Sequence, residues 1–148
     1  MSRGSAVDQK GFRLFAYGTL LAGEREHALL GDSERLGSAA TQPLYGLFEV
    51  GPYAAMVAGG STSVRGDLYL VSRETLLAID VARQVPLLFK RARVSLDDRT
   101  EAEAYVMSAD QVRGQRRVRG GIWLERFRPN AERSGAWSSW ARGRSRKR

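Results

Sequence analysis

Phe15-Ala16-Tyr17-Gly18-Thr19-Leu20-Leu21 is the stretch on which the reading of this chain turns. The apolar run Phe12 to Ala16 predicts a strand, which stops abruptly at Tyr-Gly-Thr-Leu. Gly18 allows the backbone to turn tightly and to come close to a ligand. A polar, helix-compatible stretch, Glu24 to Leu30, comes next and is closed by Gly31. Backbone N–H groups gathered after such a turn, near a helix start, form an anion-friendly concavity. Taken alone, Tyr-Gly-Thr also fits an ordinary strand-to-loop turn, so the neighbouring segments decide.

The 148 residues are 43% hydrophobic, which suits one globular domain able to bury a core without covalent staples. There are no cysteines, which excludes disulfides and thiolate metal sites. No window approaches the length of a membrane span. The first ten residues, Met1 to Lys10, lack the apolar segment of a secretory signal, so the expectation is a cytoplasmic protein with no membrane association. Net charge is +8, unevenly placed: residues 113–148 hold twelve of the 24 Lys and Arg and two of the 16 Asp and Glu, a balance of +10 that leaves −2 for residues 1–112. The basic character therefore belongs to the C-terminal region and does not argue for a nucleic-acid-binding fold.

The segments follow in order. Arg35 to Gln42 is small and polar, the pattern of an exposed edge strand. Pro43 to Val50 predicts a second strong strand, Gly51-Pro52 a turn, and Tyr53 to Val57 a short apolar strand. Ser63 to Val71 alternates as a strand, with Gly66 marking a close backbone approach or a bulge. Ser72 caps a helix in which Leu76, Leu77 and Ile79 recur at helical spacing to about Arg83, with Val85-Pro86 ending it. Leu87 to Leu96 and Glu101 to Met107 predict a hairpin turned at Asp97 to Thr100, with Glu101 and Glu103 as solvated charges. Ser108 to Gln111 starts another short helix, and Gly120-Gly121-Ile122-Trp123 closes the folded region. The fold class is α+β, a small mixed or antiparallel β-barrel with short flanking helices. The chain divides into a disordered leader 1–11, a domain 12–128 and a basic tail 129–148. Trp137 and Trp140 sit among arginines in 131–148, a composition that fits a nucleic-acid contact by charge and stacking; as a charge run it is read as a solvated tail. His27 is the only histidine, and with no acidic ligand pattern and no G-x-S-x-G it supports neither a metal site nor a Ser-His-Asp triad.

Together these segments resemble the γ-glutamylcyclotransferase-like, or AIG2-like, family over residues 12–127. Tyr17-Gly18-Thr19-Leu20 matches the family's substrate loop, and Gly51-Pro52-Tyr53 approaches its Gly-x-Tyr-Pro with Ala54 in place of proline. Val64-x-Gly66-x-Leu68-Tyr69 matches a family strand, and Leu76 to Asp80 the helix that usually reads Leu-Asp-x-x-Glu-Gly. Val85-Pro86-x-x-Phe89-Lys90-Arg91 matches a following Pro-x-x-Tyr-x-Arg, and Ala102 to Val106 with Gly121-x-Trp123 the closing elements. The resemblance implies a barrel with one cavity and an intramolecular aminolysis. The α-amine of a γ-glutamyl group attacks its own γ-carbonyl, yielding 5-oxoproline and a released amine, with no metal or cofactor. It implies substrate-binding roles for Tyr17, Gly18, Thr19, Leu20, Phe89 and Tyr105.

Three further positions depart from that pattern. Arg83 stands where the family has its catalytic Glu, Gln84 stands in place of the glycine, and Phe89 replaces the usual Tyr. Arginine stays protonated and is no base near neutral pH. Three readings follow: Asp80, on the same helix face as Arg83 and ion-paired with it, serves as a surrogate base; Arg83 binds an anionic small molecule in the cavity; or Arg83 points to solvent. The partner expected is accordingly a small-molecule substrate or an anion, and the protein a monomer or a homodimer.

Overall fold

A computed structural model of the chain describes residues 7–8 and 11–127. The basic tail and most of the leader lie outside them. Nine strands form one curled mixed sheet: β1 (Val7–Asp8), β2 (Gly11–Ala16), β3 (Glu34–Ala40), β4 (Tyr45–Val50), β5 (Tyr53–Ala58), β6 (Arg65–Val71), β7 (Lys90–Ser95), β8 (Glu101–Val106) and β9 (Arg116–Arg117). Among the described residues the one α-helix, α1 (Arg73–Ala82), follows β6. Val7–Asp8 pair with Phe12 and Gly11, so part of the stretch read as leader belongs to the sheet.

Strand order runs β3-β6-β2-β8-β5-β4-β9, with β7 against β8. Neighbours are antiparallel except that β8 runs parallel to β2 at Leu14–Glu103 and to β5 at Met56–Val106. The ring β3-β6-β2-β8-β7 closes at one end. Thr41 bridges Leu96, Asp97 N–H donates to Ala40 O and Gln42 N–H to Ser95 O, both at 2.9 Å. This closure gives the barrel its interior.

Side chains alternate across the pleat, and the central strands are covered on both faces. Leu14 and Ala16 of β2, Ala55 and Val57 of β5 and Tyr105 of β8 join one apolar cluster with Leu76 and Ile79 of α1. Phe15, Ala54, Met56, Ala102 and Ala104 join a second, with Tyr17 and Trp123. Gly66 is needed for a close approach: a Cβ there would lie 2.2 Å from the Ala16 carbonyl oxygen.

Several boundaries differ from the sequence reading. Glu24 to Leu30 makes only a 3₁₀ turn, His27–Leu30: the Glu26 N–H goes to Thr19 O of the loop, and the His27, Leu29 and Gly31 N–H groups bond three residues back. Ser108 to Gln111 is a turn, not a helix, and β7 begins at Lys90. Ser72 caps α1 as read, accepting from the Thr75 N–H.

Candidate active site

Tyr17 leaves β2 in extended conformation and Gly18 turns the chain at φ +64, opening a 3₁₀ turn, Gly18–Leu20. A side chain at Gly18 would meet the Ala54 Cβ at 2.2 Å, so the turn and β5 pack together only around a glycine. The turn's own hydrogen bonds come from the Leu20 and Leu21 N–H groups. The Gly18 and Thr19 amides stand outside them. All four loop residues are buried. The Tyr17 hydroxyl donates to the Tyr105 carbonyl and accepts from the Met56 N–H at 2.9 Å. Burial pushes its pKa up to about 12, against the opposing pull of the nearby Arg83 charge.

The segment after the loop folds back onto it. The Glu26 N–H donates to Thr19 O at 2.9 Å and the Thr19 hydroxyl donates to Glu26 Oε1 at 2.5 Å. His27 Nδ1 lies 2.8 Å from Leu20 O, and Trp123 Nε1–H donates to Glu24 Oε1 at 3.1 Å. Sequence reasoning passed over Glu26. The signal that could have found it is the short return, seven residues, from Thr19 to the next buried carboxylate.

Arg83 arrives at the same place from the end of α1, where it is the C-cap residue. Among the described residues it is the bulkiest fully buried side chain, at 0% exposure. Its Nη2 donates to Glu26 Oε1 at 2.8 Å and to the Thr19 hydroxyl at 3.2 Å. Its guanidinium lies over the Phe89 ring at 4.5 Å, with the Tyr53 and Tyr105 rings at 5.7 and 5.8 Å. Nε and Nη1 are buried with no hydrogen-bond partner among the described residues. Phe89, which lacks the expected hydroxyl, thus supplies a π face to a cation.

Two of the three readings of Arg83 are corrected by this geometry. It does not face solvent, and it does not pair with Asp80. The Asp80 carboxylate is taken up by Tyr105 and Arg91 instead. Its Oδ1 accepts from the Tyr105 hydroxyl at 2.7 Å and from Arg91 Nε at 3.0 Å, and its Oδ2 from Arg91 Nη2 at 3.2 Å. Arg91 also reaches Glu103 at 3.3 Å, so Glu103 is a buried, paired acid and not a solvated one. Burial, followed by the Asp80 hydrogen bond, raises the Tyr105 pKa. The loop residues, Arg83, Phe89 and Tyr105 are therefore brought together, and Asp80 is bonded to Tyr105 of that group. A groove of about 640 Å³ lies beyond Leu21 and Ala22, walled by Arg65, Gly66, Asp67 and Trp123, and it includes neither Arg83 nor Glu26.

The family model of γ-glutamyl cyclotransferase, AIG2-like, matches residues 14–125. The chain belongs to this family. A Vibrio cholerae protein provisionally named as a γ-glutamylcyclotransferase is 41% identical over 78 residues, 53% of this chain and 67% of that one. The Escherichia coli protein ytfP is similar in structure, with a TM-score of 0.60 and 27% identity over 78% of this chain and 98% of its own. A mouse AIG2-like protein superposes with a TM-score of 0.60 at 21% identity, covering 64% of this chain and 76% of that one, which speaks for the fold. In this γ-glutamylcyclotransferase-like chain, the ion pair Arg83–Glu26 occupies the place beside the loop.

Proposed function

We propose that this chain is an enzyme of the γ-glutamylcyclotransferase type, acting on a γ-glutamyl amide or a related acyl amide and releasing 5-oxoproline and an amine. The observation that carries the reading is the loop itself. Gly18 bends it sharply, Ala54 leaves no room for a side chain, and the Gly18 and Thr19 amides are spared by the turn's own bonding. Two adjacent amide donors on a buried turn suit a carbonyl oxygen that becomes an oxyanion during aminolysis, and removing one such donor typically costs on the order of 100-fold in rate. The rings of Tyr53, Phe89 and Tyr105 pack around the Arg83 guanidinium, whose Nη2 bonds the Thr19 hydroxyl of the loop.

Asp80 is a poor base for this reaction. Both its oxygens accept charge-assisted bonds from Arg91, and Oδ1 also accepts from the Tyr105 hydroxyl, so neither is left free. A second reading, a binding module holding a small anion through Arg83, draws on the two unpartnered nitrogens, Nε and Nη1. It requires the anion to reach the inner member of an existing ion pair.

The test is mass-spectrometric detection of 5-oxoproline from a panel of γ-glutamyl amino acids and amines. Product from the wild-type chain supports the enzyme. No product from any member, with calorimetric binding of a dicarboxylate that disappears in Arg83→Met, would favour the binding module.

A further inference from the structure

We infer that Glu26 supplies the carboxylate that position 83 lacks and carries the proton through Oε2. The inference rests on the cyclotransferase reading above. Its ground is an asymmetry within the Arg83–Glu26 pair. Arg83 is the inner member, with its side chain 1% exposed, and Glu26 the outer one, at 10%. A molecule approaching the pair meets Glu26 first. The bonds from Arg83 and from the Thr19 hydroxyl both end on Oε1, and no described residue bonds Oε2. The carboxylate is thus anchored on one oxygen and offers the other.

The backbone fixes this arrangement relative to the loop. The Glu26 N–H is bonded to Thr19 O, and the next residue, His27, is bonded to Leu20 O. Glu26 therefore moves with the two residues that follow Gly18. The loss of one carboxylate and the gain of another are linked, because Arg83 leaves position 83 unable to act as a base and holds Glu26 at the loop instead. Arg83 is a positioning residue here. Its positive charge offsets the buried carboxylate, and the rings around it keep it from leaving.

The step balances without an oxidant or co-reactant. The α-ammonium of the γ-glutamyl group gives a proton to Glu26 Oε2, and the free amine attacks the γ-carbonyl carbon. The new C–N bond closes the five-membered ring. The ring nitrogen gives up a second proton as the lactam forms, and the original amide C–N bond breaks. Both protons, passed in turn by Glu26, end on the departing nitrogen, which leaves as a protonated amine. Glu26 finishes as the carboxylate it began as.

The experiment uses the full chain with the γ-glutamyl substrate of the panel that the wild type turns over best. Glu26→Gln alone leaves Arg83 without its counter-charge, so the principal variant is Glu26→Gln/Arg83→Met, neutral at both positions and checked for folding by circular dichroism. The expected result is a fall in kcat on the order of 100-fold or more, with a smaller change in KM and loss of the acid limb of the pH profile. Arg83→Lys, which keeps the charge, is expected to keep that limb. Glu26→Gln/Arg83→Glu returns a lone carboxylate to the neighbouring position and is expected to recover part of the rate. Three results overturn the inference, each with its own signature. A folded Glu26→Gln/Arg83→Met variant within threefold of wild type removes Glu26 while leaving the cyclotransferase reading intact. Activity confined to variants bearing Arg83→Glu shows that position 83 alone serves the reaction. Absence of 5-oxoproline from every form removes the cyclotransferase reading, and the role of Glu26 with it.

Discussion

The Arg83 guanidinium and the Glu26 carboxylate meet at 2.8 Å inside the fold, joined by the Thr19 hydroxyl at 3.2 Å from one and 2.5 Å from the other. Two oppositely charged groups from distant parts of the chain share one buried point beside the loop. Each offsets the charge of the other. Removing one partner from a buried pair costs about 3–5 kcal/mol, because the other charge is left without compensation.

The first prediction is a double-mutant cycle on that pair. Arg83→Met and Glu26→Gln, each alone, are expected to lower the unfolding free energy by about 3–5 kcal/mol in urea titrations. The combined variant is expected to be far more stable than the sum of the two losses allows, since it buries no charge. Additive losses would mean that the two groups do not depend on each other, and the picture of a single charged unit would fail.

A second prediction concerns Gln84, which follows the C-cap of α1 at φ +55. That is the left-handed region, where glycine is favoured and a residue with a Cβ is disfavoured by roughly 1 kcal/mol. Gln84→Gly is therefore expected to raise the thermal midpoint, with a gain of at most about 1 kcal/mol after the entropy of glycine in the unfolded chain is counted. A lower midpoint would show that the Gln84 side chain makes a stabilising contribution that outweighs its backbone conformation.

The sequence made the barrel legible because its strands are short, alternating and separated by glycine turns at Gly31, Gly51 and Gly59–Gly60. It also located the loop, since Gly18 has a positive φ that only the local sequence must satisfy. The neighbours of Arg83 were harder to read. Helical spacing suggested Asp80 as its partner, yet α1 ends at Ala82, and Arg83, in the capping position, turns inward toward Glu26 while Asp80 pairs with Arg91 of β7. An i,i+3 rule holds only while both residues remain on the helix. Glu26 was hidden for a related reason. Glu24 to Leu30 has the composition of a helix, but the Glu26 N–H and the His27 ring bond the loop, which only tertiary contact reveals.

A third prediction follows from Tyr17. Its pKa is raised to about 12 chiefly by burial, against an ordinary value of 10.0. Between those values the folded chain keeps the proton that the unfolded chain has lost, so stability is fully present below pH 10 and falls as pH rises toward 12. Two units correspond to at most about 3 kcal/mol. The Tyr105 hydroxyl, also raised by burial and by Asp80, acts in the same direction. Unfolding free energies measured from pH 9 upward, with tyrosinate absorbance followed in parallel, should show a decline that is shallower in Tyr17→Phe. Ionisation of every tyrosine near pH 10 in a chain that remains folded would contradict this.

The last prediction separates Asp80 from the reaction chemistry. Its carboxylate holds Arg91 through both oxygens and receives the Tyr105 hydroxyl at 2.7 Å. Tyr105 in turn offers its carbonyl to the Tyr17 hydroxyl, so Asp80 supports the floor on which the loop rests. Asp80→Asn removes one acceptor oxygen and the negative charge facing Arg91, and is expected to destabilise the fold by about 1–3 kcal/mol. Because both Asp80 oxygens are taken up by Arg91 and Tyr105, 5-oxoproline formation by the folded fraction should stay within a few-fold of wild type. The shape of its pH profile should also be unchanged. A folded Asp80→Asn variant that loses about 100-fold or more in rate, with a shifted acid limb, would instead make Asp80 the proton carrier and would require Tyr105 to relay the proton between them.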